Sequence, residues 1–233
     1  MGAITNMAVS AAAQAAAEAA RREAMKKGKT DEQKKCIDFL FKAGASGCGC
    51  LGGKAAMTMQ DYIALVQNKC ATLNLQERAL RKIGLDYSQV QEIPPIVLSS
   101  FVYDDDCLIR ADNNVAVSSQ YSITWIFFSA TQMYTYKYIF DTTSDNTWEF
   151  TKDFFYTDIT CFSTLCAVKE KIDITAGKGC LSSETITKNH YVVDTLEVIV
   201  PGTSYSFSLR NSDTIEQSIQ AAKAMLREKK YSK

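Results

Sequence analysis

The residues best suited to chemistry are four cysteines in and around a glycine-rich segment. Cys48 and Cys50 are separated by one residue, and Cys36 and Cys70 lie in flanking segments with helical patterning. Thiolates from a loop pair and two helices can approach the tetrahedral arrangement that zinc prefers, but paired ligands usually have roughly two to four intervening residues. We therefore favour two loop thiols and two buried thiols over a metal centre at Cys36, Cys48, Cys50 and Cys70, and we expect no cofactor.

The same segment matches the glycine pattern of dinucleotide-binding loops, in Gly47-Cys48-Gly49-Cys50-Leu51-Gly52. That chemistry needs a strand before the glycines and a helix that opens directly from them, so that phosphate lies on the helix amino terminus. Here a helical pattern precedes the glycines, and the next helix is predicted several residues later. The pattern therefore indicates a flexible connection between helices.

Acid–base and cation chemistry have few candidates. His190 is the single histidine, so a Ser–His or Cys–His mechanism would require it, and the spacing assigns it no nucleophile. The run Asp104-Asp105-Asp106 lacks the downstream glycine and glutamate that complete a calcium loop. We interpret His190 as a surface imidazole and the aspartates as a solvated turn, and we expect no enzymatic activity.

Composition narrows the class of partner. The chain has 233 residues, with 26 basic and 26 acidic side chains, so no global field attracts it to nucleic acid. No apolar run reaches the ~18 residues of a bilayer span, and the amino terminus lacks a secretory pattern. The eight cysteines are then expected as free thiols in a reducing cytoplasm. One local basic cluster leaves peripheral membrane contact open: Arg21, Arg22, Lys26, Lys27 and Lys29.

The amino-terminal region, residues 1–93, is predicted to be helical. Residues 1–29 form an alanine-rich helix with little apolar surface, and the pattern leaves open whether it is ordered alone. Helices are predicted after the caps Thr30, Thr58 and Asn74, and Gln33 and Glu77 follow the first and third of these caps at capping-box spacing. Pro94-Pro95 then imposes an extended connector, at which we place the boundary with residues 94–233.

In the second region, residues 94–233, apolar and polar residues alternate with a period of two. Segments such as Tyr121 to Phe127, Tyr134 to Phe140 and Tyr191 to Val200 are typical of half-buried strands. A closing amphipathic helix is predicted from Asp213, its expected cap, with one apolar face: Ile215, Ile219, Ala222 and Leu226. The fold class is therefore α+β, with an antiparallel meander closed by one helix.

This order resembles the prokaryotic pleckstrin-homology-like (PH-like) domains. The segment Phe154-Phe155-Tyr156-Thr157-Asp158-Ile159-Thr160 is similar to their mid-barrel strand, Leu196 to Leu209 to their last hairpin, and Asp213 to Lys230 to their final helix. The resemblance implies a barrel or sandwich of two near-orthogonal sheets, plugged by the helix, with a binding role. Ser129 to Gln132 is uncharged where lipid-binding members carry clustered basic residues, so the resemblance does not imply phosphoinositide recognition.

The predicted function is therefore recognition of a protein or peptide partner inside the cell. The partner would contact an exposed sheet edge or an aromatic row formed by Tyr134, Tyr136 and Tyr138. Because side chains alternate along a strand, these three tyrosines share one face, and the sequence leaves open whether that face points outward or into the core. The alternatives are a peripheral membrane protein that uses the basic helix and a zinc-dependent protein that uses the Cys48/Cys50 loop. We expect no nucleic-acid partner.

Overall fold

A computed structural model describes residue 13 and residues 16–42, 56–175, 185–210 and 212–231. The fold is α+β, which confirms the predicted class at that level. The helices are α1 (16–25 in its described part), α2 (Asp31–Leu40), α3 (Met59–Thr72), α4 (Leu75–Ile83) and α5 (Asp213–Tyr231), with a 3-10 turn at Tyr87–Gln89.

Nine strands form three antiparallel sheets in the described residues. They are β1 (Ile96–Phe101), β2 (Ile109–Asp112), β3 (Val115–Ser118), β4 (Gln120–Phe128), β5 (Gln132–Asp141), β6 (Thr147–Phe155), β7 (Cys161–Thr175), β8 (Thr185–Val200) and β9 (Thr203–Leu209). The first sheet has the order β1-β4-β5-β6, the second is the β2-β3 hairpin, and the third has the order β7-β8-β9.

Two of the expected helix caps are confirmed. The Thr30 hydroxyl accepts from the backbone N–H of Gln33, whose side chain accepts in return from the Thr30 N–H, and Thr58 and Asp61 form the same reciprocal box before α3. Each box satisfies two backbone donors that a helix start would otherwise leave unpaired. The sequence therefore places the starts of α2 and α3 correctly.

The other two caps differ from the expectation. Asn74 adopts a left-handed backbone conformation, and its side chain donates to the Glu77 carboxylate instead of capping α4. Before α5 the cap is Ser212, whose hydroxyl accepts from the Ile215 N–H, while Asp213 is already the first helical residue. A capping residue must lie outside the helix, so an acidic residue one position later interacts only with the helix dipole.

The first sheet lies between two apolar cores. One core fills the space between this sheet, the third sheet and α5, with Ile126, Phe154, Val198 and Ile219 among its members. The other core joins the opposite face of the same sheet to α2, α3 and α4, with Phe127 and Tyr136 among its members. Residues on both sides of Pro94-Pro95 thus share a core, because both faces of β4 and β5 are apolar.

Polar contacts fix the helices against the sheets. The Tyr62 hydroxyl of α3 is fully buried, donates to the Ser118 carbonyl at 2.7 Å, and lies 2.7 Å from the Thr142 hydroxyl. The Arg110 guanidinium of β2 donates to the Phe39 carbonyl at 2.8 Å and covers the Phe39 ring. These contacts orient α2 and α3, because a buried polar group stabilises only the geometry that satisfies it.

The barrel predicted from the resemblance is not formed as a closed sheet. In the described residues no strand pairing joins the first sheet to the third, although β1 and β9 are neighbours. The segment Phe154 to Thr160 is also not one strand. β6 ends at Phe155, and the Asp158 N–H donates to the Phe155 carbonyl at 3.0 Å in a turn that redirects the chain into β7.

Among the described residues, no helix combines the length and the apolar character that crossing a membrane would require.

Candidate functional site

A groove of about 130 Å³ runs between the third sheet and the start of α5. Its lining comes from all four elements at this place: Thr164, Leu165 and Cys166 of β7, Asp194 and Thr195 of β8, Leu209 of β9, and Glu216, Ile219 and Gln220 of α5. The groove therefore depends on how α5 docks against the third sheet.

The docking of α5 follows from its apolar periodicity and two lysines. Ile219, Ala222 and Leu226 share one face at helical spacing and are buried in the core between the sheets. Near the other end, Lys229 forms an ion pair with Glu92 at 2.9 Å, and Lys230 donates to the Thr160 carbonyl at 3.0 Å. The helix is held along its length, which leaves its first two turns to form one wall of the groove.

The groove is apolar in its depth and acidic at its rim. Leu209 and Ile219 are buried, whereas Leu165 is 52% exposed. Asp194 and Glu216 supply two carboxylates at the rim. Such a lining suits a side chain with an apolar body and a cationic or hydrogen-bonding end.

The thiol in the groove is not activated. Hydrogen bonding to the Asp194 side chain, followed by the charge of that carboxylate, raises the pKa of Cys166. A thiol becomes a nucleophile when its pKa is lowered, so this arrangement favours the unreactive protonated form. The groove geometry is therefore better suited to binding than to covalent catalysis.

β7 presents a free edge beside this groove. Its backbone pairs with β8 on one side only, and in the described part of the chain no strand pairs with the other side. Leu165, Val168 and Ile172 on this strand are about half or more exposed. An edge of this length with exposed apolar side chains can accept an additional strand.

β7 and β8 continue beyond β9 as a twisted ribbon. β9 pairs with β8 only from Asp194 onward, whereas the pairing of β7 with β8 runs unbroken to Thr185. Where β8 pairs with β9, its buried residues are Leu196 and Val198. In the two-stranded part they are Asn189 and Tyr191, which belong to the other set of alternating positions on the strand. Because the register is continuous, the twist of a two-stranded ribbon accounts for this change and turns Val168 and Val192 to solvent.

His190 lies on the exposed part of this ribbon. Its side chain is 58% exposed, and its Nε2 lies 3.7 Å from the Glu170 carboxylate, which is also 3.4 Å from the Lys188 amine. Within the described part of the chain, no Ser, Thr or Cys side chain is hydrogen-bonded to the imidazole, whose recorded partner is Glu170. This surface position agrees with the interpretation made from the sequence.

The predicted aromatic row is not an exposed surface. Tyr136 and Tyr138 are buried in the core beneath the helices, and Tyr134 is half-buried, so the expectation of an outward row is wrong and the opposite parity applies. The Arg78 guanidinium of α4 lies 5.1 Å from the Tyr138 ring and forms an ion pair with Glu149 of β6. The period-two pattern placed the three tyrosines on one face, but it could not show that α4 covers that face.

The predicted cysteine set is only partly described. Cys36 is buried, Cys70 is half-buried, and both pack in the core under the helices, whereas Cys48 and Cys50 lie outside the described residues, as does the rest of the glycine-rich segment. Burial raises the pKa of Cys36 to about 12 and that of Cys70 to about 11, which disfavours the thiolate that binds zinc. The ranges that are described contain no group of three or more metal-binding side chains.

The remaining charged candidates have structural or solvated positions. In the basic cluster, the Lys26 amine lies 2.5 Å and the Arg22 guanidinium 3.7 Å from the Asp38 carboxylate of α2. These two cations therefore face the protein and are not available to an anionic surface. Asp104-Asp105-Asp106 is an exposed turn, as expected.

Sequence analysis missed the site on β7. The run Lys169-Glu170-Lys171 and the polar Thr164 interrupt the alternation, so the period-two pattern does not predict one continuous strand here. A signal was present: Phe162, Leu196 and Val198 are apolar positions that need partners on neighbouring strands. Comparisons with protein-family models, with curated proteins and with solved structures found no match to this chain.

Proposed function

We propose that this chain is a non-enzymatic interaction module that binds an extended segment of a protein partner in the cytoplasm. The segment adds as a strand to the free edge of β7 and places a side chain in the groove against α5. The observation that carries this proposal is that β7, a 15-residue strand with one edge free among the described residues, lies beside a groove that α5 helps to form.

The order of elements supports a PH-like arrangement as the scaffold. When the β2–β3 hairpin is set aside, β1, β4, β5 and β6 form a four-stranded meander, and β7, β8 and β9 form a three-stranded one. α5 then packs on the core between the two sheets. Seven strands followed by one helix is the sequence of elements that the resemblance implies.

The chemistry of the groove indicates what the segment carries. Strand addition supplies affinity through main-chain hydrogen bonds, and pockets for alternate side chains supply selectivity. Leu209 and Ile219 favour an apolar stem, while Asp194 and Glu216 at the rim favour a cation. We therefore expect a lysine or arginine of the partner to enter the groove, with its stem on the apolar lining.

The test begins with selection of peptides from a displayed random library on the immobilised full chain. The enriched peptides are then synthesised, and their affinities for the chain are measured by fluorescence anisotropy. Leu165→Asp places a charge on the exposed edge strand beside the groove, where the added segment would pack, and we expect it to weaken binding about tenfold or more. Val115→Asp is the matched control, because Val115 is 46% exposed on β3, outside the groove. Circular dichroism checks that both variants are folded.

Charge reversal tests the expected preference for a cation. Glu216→Lys should lower the affinity for peptides that contain lysine or arginine more than it lowers the affinity for peptides in which norleucine replaces those residues. Failure to enrich any shared sequence would contradict the proposal, as would equal loss of affinity in Leu165→Asp and Val115→Asp.

A further inference from the structure

The edge of the first sheet at β6 is open in the described residues. β6 pairs with β5 on one side, and no described strand pairs with its other side. Bulges and prolines are two of the features by which folded proteins prevent such an edge from pairing with another chain. β6 has neither, because its nine residues keep one continuous register with β5 and include no proline.

The side chains of β6 are exposed on both faces of the sheet. Phe154 alone is buried and Glu149 is half-buried, whereas the rest of the strand is exposed. Trp148 and Phe150, which share one face, are 37% and 51% exposed. Two large aromatic side chains therefore lie on an edge that can still form main-chain hydrogen bonds.

Hydrogen bonds beyond the two ends of β6 show which of its backbone groups face the open edge. The Asp141 N–H donates to the Asn146 carbonyl at 3.1 Å. At the other end, the Tyr156 N–H donates to the Thr131 carbonyl at 3.3 Å. In an antiparallel pair, residues that bond to the neighbouring strand alternate with residues whose N–H and C=O point the other way. The even-numbered residues of β6 therefore bond to β5, and the backbone groups of the odd-numbered residues in 147–155 point to the open edge.

A second copy of β6 fits this edge when the two strands run antiparallel around a two-fold axis at Phe150. The two Phe150 rings then lie opposite each other, in a pair without mutual main-chain bonds, where side chains come closest. Lys152 lies opposite Trp148 of the second copy, and an ammonium is attracted to the face of an indole. The exposed aromatic side chains of both copies are thus covered on one face of the joined sheet.

On the other face, the same register places hydroxyls opposite carboxylates. Thr147 lies opposite Asp153 of the second copy, and Thr151 lies opposite Glu149, so each hydroxyl can donate to a carboxylate. These four residues are also those whose backbone groups point to the open edge. Each opposed pair therefore exchanges both of its main-chain hydrogen bonds.

The neighbouring registers place like charges opposite each other. An axis at Glu149, Lys152 or Asp153 opposes that charged residue to its own copy. An axis at Thr151 opposes Glu149 to Asp153 of the second copy. Like charges directly opposite each other destabilise a strand pair, and axes nearer either end of β6 shorten the pairing. The charge pattern thus selects the register centred on Phe150.

We propose that a second copy of this chain adds to β6 around a two-fold axis at Phe150 and joins two first sheets into one. A two-fold dimer requires a self-complementary patch, because the same surface must serve both subunits. The overlap runs over residues 147–153 and spans about 24 Å, which is a small interface, so we expect a dimer that dissociates on dilution. The dimer does not use β7, so it does not depend on the proposed peptide site.

The test is sedimentation equilibrium of the full chain without peptide, at concentrations from about 10 μM to about 1 mM. We expect the average mass to rise with concentration from that of one chain toward that of two. Phe150→Asp places two carboxylates opposite each other on the axis, and we expect it to weaken the dimer about tenfold or more. Leu165→Asp is the matched control, because Leu165 is 52% exposed on β7, and we expect it to leave the dimer unchanged. Circular dichroism checks that both variants are folded.

A second pair of variants tests the register at an exposed position. Thr147 faces Asp153 twice in the dimer, so Thr147→Lys should strengthen the dimer severalfold and Thr147→Glu should weaken it severalfold. Equal effects of lysine and glutamate at this position would overturn the proposal. A chain that stays monomeric at about 1 mM would overturn it as well, as would a dimer that is lost in Leu165→Asp and kept in Phe150→Asp.

Discussion

Replacing Tyr62 with phenylalanine tests whether the helices and sheets form one cooperative unit. The change removes the hydroxyl that donates to the Ser118 carbonyl at 2.7 Å, in a position without solvent exposure. The phenyl ring retains its stacking on Phe39 at 4.7 Å, so the loss is confined to the hydrogen bond. A buried bond of this kind contributes about 1–2 kcal/mol once the penalty for the unpaired partner is included.

The assay is urea denaturation followed by circular dichroism and tryptophan fluorescence. With a slope of about 2–3 kcal/mol/M for a chain of this size, Tyr62→Phe should lower the midpoint by about 0.5 M. Tyr121→Phe is the matched control, because its hydroxyl makes a longer, 3.2 Å bond to half-buried Ser99, and we expect a loss of about 0.5 kcal/mol or less. An unchanged midpoint in Tyr62→Phe, or separate transitions for the two optical probes, would refute the shared core.

Three further predictions concern backbone, thiol and ion-pair energetics. Gly84→Ala should destabilise the protein by about 1 kcal/mol in urea titrations, because Gly84 ends α4 at a φ of 73° with open space around it, so that only backbone strain is added. The free energy of unfolding should fall as the pH rises from about 9 toward about 12, because the Cys36 thiol ionises near its ordinary pKa of 9.0 in the unfolded chain but not in the folded chain. Cys36→Ala should reduce the dependence of this free energy on pH by about 1.4 kcal/mol per pH unit. A double-mutant cycle on Arg78→Ala and Glu149→Ala should give a coupling of about 0.5–1 kcal/mol that decreases in high salt, and zero coupling would remove this pair as an anchor of α4.

The local elements could largely be predicted from the sequence. Thr30 with Gln33, and Thr58 alone, marked two helix starts, because capping chemistry depends on residues close in the sequence. The amphipathic face of α5 was also evident, since Ile219, Ala222 and Leu226 recur at helical offsets. These features depend on residues within a few positions of one another.

The site residues could not be predicted, because they depend on which face is covered. Tyr136 belongs to a strand whose two faces are both apolar, and only the position of the helices decides that this residue is buried. β7 was missed because it is a partly uncovered edge strand, where polar residues such as Lys169 are tolerated and the alternation is lost.

The most direct test of strand addition on β7 is amide hydrogen exchange of the full chain with and without a selected peptide. The account predicts added protection in peptic fragments that cover residues 161–172, with smaller changes at the start of α5 and no change in α3. Protection confined to the helices, or to the exposed face of β2 and β3, would contradict the account and would move the binding surface away from the β7 groove.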